Sequence, residues 1–289
     1  MGIVFAGIAP HGFPVVPALS DDAEGALATR AALIELGQRA SAAGVEAIVI
    51  AGPHGVRVDG QVALANTGST AGTLSWKERT VEMHVPIDLA LTDAIAGAAR
   101  AAGIPVAMVG FAGNRRDQSV LPLDWGVLVP LWFLGHDQNE PGSGNVLAPI
   151  PDVNAGPPVV IVSPSRFMPR ESLVSMGRAI ADAASADGRR IAFIASCDWA
   201  HTHTPDGPYG YHPSAETVDQ LVVDAVRRNA IAEIGRISDV LAATAAIDGL
   251  WQTLILEGVL ERVPLEAELL SYEAPTYYGM LVASFSVPA

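Results

Sequence analysis

Short, continuous apolar runs alternate along the chain with longer stretches whose apolar residues recur every three to four positions, and that alternation predicts strands separated by helices. Residues 3–8 read as a buried strand ending in Pro10-His11-Gly12, about 22–43 as a helix, and 47–51 as a second buried strand ending in Pro53-His54-Gly55, which makes a βαβ unit. The Gly- and Thr-rich stretch 56–74 predicts a hairpin excursion, followed by a helix near 87–102 and a strand at 105–110. A helix at 126–134 precedes a loop at 135–158 marked by Gly, Asn and Pro. Beyond it come a strand at 159–162, a helix at 171–186 and a strand at 191–195 that runs into Ser196-Cys197-Asp198-Trp199-Ala200-His201. Helices within 214–242, a helix near 249–260 and strands at 267–272 and 278–287 complete the pattern. This order predicts an α/β fold, one three-layer α/β/α domain over 1–289 with a largely parallel central sheet, its pseudo-halves of about 1–135 and 159–289 joined by the loop.

Composition narrows the class. Half of the 289 residues are hydrophobic and 17% are charged, enough to bury a large core. The longest apolar run, near 127–134, falls short of the roughly 18–20 residues a membrane-spanning helix needs. Residues 1–9 lack the basic flank of a signal peptide and read as a first strand, so the expectation is a cytoplasmic protein with no membrane partner. A net charge of −14 repels phosphate backbones and argues against a nucleic-acid partner. The single cysteine, Cys197, allows no intramolecular disulfide or thiolate-rich zinc site and reads as a packed side chain, so a metal would be held by nitrogen and oxygen.

In open α/β sheets ligands bind outside the C-terminal strand ends, where His11, His54 and His201 fall in this reading. Pro-His-Gly is expected only about 0.05 times in a shuffled chain of this composition, and it occurs twice, each time at a strand end. Proline fixes the approach and glycine permits a tight turn, so the imidazole is aimed. Two neutral imidazoles and one carboxylate form the facial triad of non-haem iron(II), whereas the plainer reading has each histidine satisfying a backbone group at a buried strand end.

The segments Ala9-Pro10-His11-Gly12, Gly52-Pro53-His54, Ser196-Cys197-Asp198-Trp199-Ala200-His201 and Gly207-Pro208-Tyr209-Gly210-Tyr211 together resemble the LigB-like superfamily of class III extradiol dioxygenases, in the family's order. The resemblance implies an α/β/α fold, iron(II) bound by His11 and His54, and His201 as acid/base beside a small aromatic substrate that reacts with O2. The family's third ligand, a glutamate near a late helix bearing a tryptophan, maps best to Asp248 in Asp248-Gly249-Leu250-Trp251, with Glu257 and Glu273 as alternatives. Read locally, Asp248 is also a good helix N-cap. Relatives often dimerise, so a homo-oligomer is expected.

One departure bears on activity. Where many family members have Asp-His-Gly before an apolar helix, this chain has Asp124-Trp125-Gly126, and an indole donates one hydrogen bond but exchanges no proton. An unusual substrate, slow cleavage and loss of cleavage all remain open, as do a Memo-like metal-binding protein that does not cleave rings and a zinc enzyme, for which two histidines and an aspartate also serve. Trp125, Trp199, His203, Tyr209 and Tyr211 are the candidate pocket residues, whereas His84 and His136 read as surface or capping residues.

Overall fold

The computed structural model describes residues 1–147 and 156–287, so part of the expected loop, residues 148–155, lies outside the described residues. In the first part of the chain the elements are β1 (Gly2–Ala9), α1 (Leu27–Ala42), β2 (Ala47–Ala51), β3 (Val62–Ala65), β4 (Ser69–Trp76), β5 (Arg79–Pro86), α2 (Leu89–Ala101), β6 (Val106–Val109), β7 (Val120–Pro122) and α3 (Trp125–Phe133). The second part supplies β8 (Val159–Ser163), α4 (Arg170–Asp187), β9 (Arg190–Ser196), α5 (Ser214–Arg227), α6 (Asp239–Thr244), α7 (Leu250–Arg262), β10 (Glu266–Glu273) and β11 (Met280–Ser286).

Eight strands form the main sheet in the order β10-β11-β1-β9-β2-β8-β3-β6. Its centre, β1-β9-β2-β8, is parallel, and antiparallel joins occur at β10/β11, β11/β1 and β3/β8. Strands from either side of the 135–158 segment therefore alternate in the sheet. Both faces are covered, as continuous apolar strands require. Val49, Val160 and Phe193 pack towards α2, α4, α5 and α7, while Ile48, Ile50 and Ile194 pack towards α1 and α3. On β1 the register shifts between Ile3 and Phe5, and past that irregularity the odd positions face the opposite layer.

The structure departs from the sequence reading in the stretch after β2. The excursion after β2 is larger than a hairpin: β3 joins the main sheet, and β4 pairs with β5 and β7 in a separate three-stranded sheet. β5, which the sequence reading did not predict, turns Val81 and Met83 inward between the more exposed Thr80 and Glu82, but His84 and Val85 are both buried, which blurs the period-2 signal of a strand packed on one side. The helices expected within 214–242 are α5 and α6, and α5 ends where Asn229 adopts φ 51°, a left-handed conformation.

Candidate metal centre

Three adjacent parallel strands deliver most of the site. His11 follows β1, His54 follows β2, and Asp198 and His201 follow β9, which lies between them in the sheet. Asp248 arrives from the segment just before α7. His11, His54 and Asp248 each offer one ligand atom, and the three atoms lie within 4.8 Å of one another. The closer pairs are His11 Nε2 to Asp248 Oδ2 at 3.4 Å and His54 Nε2 to Asp248 Oδ2 at 3.7 Å. Asp248 does not cap α7: the N-cap is Gly249 with no side-chain bond, and Asp248 Oδ1 instead accepts from the Asp198 N–H. Neither alternative carboxylate enters the site. Glu273 accepts from the Thr29 N–H and hydroxyl at the start of α1, and Glu257 lies against Gly235.

The two Pro-His-Gly turns use glycine differently. Gly55 has φ +77° and leaves room for Asp124, whereas Gly12 has φ −61° and matters for space, since a Cβ there would lie 2.3 Å from the Tyr278 hydroxyl. The Ser196 hydroxyl donates to the Gly126 carbonyl, so towards His11 Nδ1, 3.0 Å away, its oxygen accepts. Nδ1 therefore carries the proton, and Nε2 faces the carboxylates.

The charges suit a cation. Burial pulls the His11 pKa down, but Asp198 and Asp248 outweigh it and push it up to about 9, so a positive charge is stabilised at Nε2. At His54, burial and then the charge of His11 lower the pKa to about 4, leaving a neutral imidazole. Burial raises both buried aspartates, yet His11, His201 and His54 together hold Asp248 below the ordinary carboxylate range, while Asp198, facing Asp248, stays raised. An ionised Asp248 and two imidazoles form a set of donors that fits a divalent ion taking nitrogen and oxygen ligands.

The triad floors a pocket of about 240 Å³, smaller than the roughly 300–1,000 Å³ typical of sites for drug-sized ligands. Trp125 and Tyr209 line it, with Trp125 stacked on His54 at a centroid distance of 4.4 Å. His201 also lines it, its Nδ1 2.7 Å from the Trp199 carbonyl. That oxygen can only accept, so the neutral ring keeps its lone pair on Nε2. Tyr278 stacks on the same imidazole at 5.6 Å.

Three expected pocket residues lie elsewhere. Trp199 follows Asp198 on the extended strand end and so points the opposite way, fully buried in the core beneath α7. His203 turns to Asp219, 2.8 Å away, which also accepts from the Tyr272 hydroxyl and the Ala200 N–H. Tyr211 is exposed beyond the lining residues. Nor are His84 and His136 on the surface: both are buried, against the Ser69 hydroxyl and the Pro157 carbonyl respectively. Cys197 is packed, and burial raises its thiol well above the ordinary range.

Sequence reasoning missed Asp198, Ser196, Phe13, Arg166, Tyr277 and Tyr278. Asp198 and Ser196 stood inside a segment already singled out, where a carboxylate three residues before His201 was a usable signal. Arg166 and the Tyr277-Tyr278 pair come from distant loops that carry no spacing signal.

A protein from Clostridium acetobutylicum, Protein CA_C1420, is 26% identical over 228 residues, covering 78% of this chain and 45% of the relative. The chain thus spans about half the length of that curated relative. The crystal structure of uncharacterized protein JW3007 from Escherichia coli K12 superimposes with a TM-score of 0.59 at 15% identity, covering 97% of this chain and 99% of that one, and so shares the fold. The family described as the catalytic LigB subunit of aromatic ring-opening dioxygenase matches residues 7–283, from β1 to β11, and the chain belongs to that LigB family.

Proposed function

We propose that this protein is a non-haem Fe(II)-dependent extradiol dioxygenase that opens a catechol-like or aminophenol-like ring with O2. The observation that carries this reading is the His11, His54 and Asp248 set on the floor of a pocket open on one side, the donor set of non-haem iron(II) enzymes that leave positions free for substrate and dioxygen. Fe(II) held there supplies chelation of the two adjacent ring heteroatoms and activation of dioxygen.

The chain's own residues supply the rest. His201, with its Nδ1 proton committed to the Trp199 carbonyl, has Nε2 free to take a proton from a substrate hydroxyl and return it as the ring opens. Tyr278 keeps that imidazole in plane, and Phe13, Tyr209 and Tyr277 give the pocket aromatic walls that exclude water and receive a flat ring. Trp125 shields His54 and moves no proton, so proton transfer falls to His201.

The test is anaerobic reconstitution with Fe(II), followed by oxygen uptake and ring-fission absorbance with catechols and aminophenols. His11→Ala is expected to lose the iron, and His201→Ala to keep it while turning over about 100-fold more slowly. Iron-loaded protein that consumes no oxygen with any of these compounds overturns the reading. A second reading, a zinc enzyme or a Memo-like metal-binding protein that cleaves no ring, is favoured by the stacking of Trp125 on His54 where the family carries a histidine. It predicts retained zinc, or no tightly held metal, with no oxygen uptake.

A further inference from the structure

We infer that Arg166 is a specificity-determining residue, and that the groove beyond it is a subsite for an acidic arm on the substrate ring. The identity of the ring rests on the ring-cleavage reading; the arm and its charge do not. Arg166 lies in the turn after β8, the strand next to β2 in the sheet, and among the described residues it is the one lysine or arginine lining the pocket over the triad. It also lines a second cavity of about 760 Å³, shared with the first through Arg166, Tyr209 and Ala246. The inner chamber, about 240 Å³, is the smaller of the two, so a ring seated there directs a para or meta substituent across Arg166 into a roomier groove walled by Met168, Ile247 and Trp251.

The guanidinium is held on one face by protein and is otherwise exposed to solvent. Its carbon lies 4.5 Å from the centre of the Trp251 ring, and Trp251, in the first turn of α7, is three residues past Asp248, so the ligand and the arginine's platform are close neighbours in the chain. Stacking on an indole face leaves the in-plane N–H groups free, and among the described residues no carboxylate or carbonyl receives them. Arg170, four residues on, shows the contrast: the Gly235 and Ile237 carbonyls and Asp239 occupy its guanidinium. Arg166 is exposed, so solvent serves its N–H groups, and a planar carboxylate that exchanges for that solvent matches the guanidinium fork with two charge-assisted hydrogen bonds.

The test measures binding to iron-loaded protein under nitrogen, where no turnover occurs, by titration calorimetry with 4-methylcatechol, 3-(3,4-dihydroxyphenyl)propionate and 3-phenylpropionate. Wild type is expected to bind the dihydroxyphenylpropionate at least about tenfold more tightly than 4-methylcatechol. Arg166→Gln should erase that preference, and Ala243→Trp, which fills the outer groove from an exposed lining position, should reduce it. Ala243→Trp should bind 4-methylcatechol and iron as wild type does, and Arg166→Gln should still bind both, so that its loss is read as the ratio of the two catechol affinities. Equal wild-type affinities, or a preference that survives Arg166→Gln, overturn the subsite and leave ring cleavage standing. If neither catechol binds but 3-phenylpropionate does in an Arg166-dependent way, the subsite stands and ring cleavage falls; if nothing binds, both fall.

Discussion

Ser196 donates its one proton to the Gly126 carbonyl, and this obliges its oxygen to accept from His11 Nδ1 and turns His11 Nε2 towards the carboxylates. An outer hydrogen bond of this kind typically changes metal affinity by about 10–100-fold when it is lost. Ser196→Ala is therefore expected to weaken Fe(II) and Zn(II) binding by about tenfold in a chelator competition, with the fold intact by circular dichroism. Unchanged affinity would mean that the strand end alone orients His11. The convergence of His11 and His54 was legible in the sequence, because a repeated tripeptide at strand ends carries pattern, whereas Asp248 was singled out only by the family resemblance. The local reading of Asp248 as a helix cap was equally sound chemistry. Tertiary structure decided against it by bringing the Asp198 N–H to Asp248 Oδ1, a contact across 50 positions of chain.

Between elements, the placement of Asp248 depends on how α7 sits on α4. Two glycines allow the helices to approach backbone to backbone: a Cβ on Gly177 would lie 1.9 Å from the Ile255 carbonyl oxygen, and one on Gly258 1.8 Å from that of Val174. Because backbone atoms rather than side-chain tips would be struck, the helices themselves must separate. Gly258→Ala is expected to destabilise the protein by about 3 kcal/mol in urea unfolding and to weaken metal binding as the start of α7 shifts. A loss below about 0.5 kcal/mol would show that the crossing has slack. Such pairs look in sequence like two poor helix formers in separate helices, so their purpose becomes visible only when the helices meet.

For the whole molecule, the pH dependence of folding turns on histidines that the fold buries. His136 is 1% exposed, and burial lowers its pKa from 6.5 to about 4, the Pro157 carbonyl and Asp137 only partly opposing this. Between those two values the unfolded chain takes up a proton that the folded protein refuses. Stability is therefore lost as pH falls from about 6.5 to 4 and regained as it rises, by on the order of 3 kcal/mol from this residue. Metal-free wild type and His136→Gln, unfolded in urea at pH 7 and 4.5, should differ in slope, with the variant losing less on acidification. Parallel profiles would remove His136 from the account.

The sequence by itself determined the α/β class, the strands β1, β2, β8 and β9, and the histidines that follow three of them, because apolar periodicity and turn chemistry are local and survive without the fold. Only the tertiary structure decided the antiparallel joins of the sheet, the burial of Trp199 and the turning of His203 to Asp219. It alone brought Asp198, Arg166 and Tyr278 to one pocket. Those outcomes depend on which face of a strand end is buried and on contacts between segments far apart in the chain, and neither is written in the spacing of neighbouring residues.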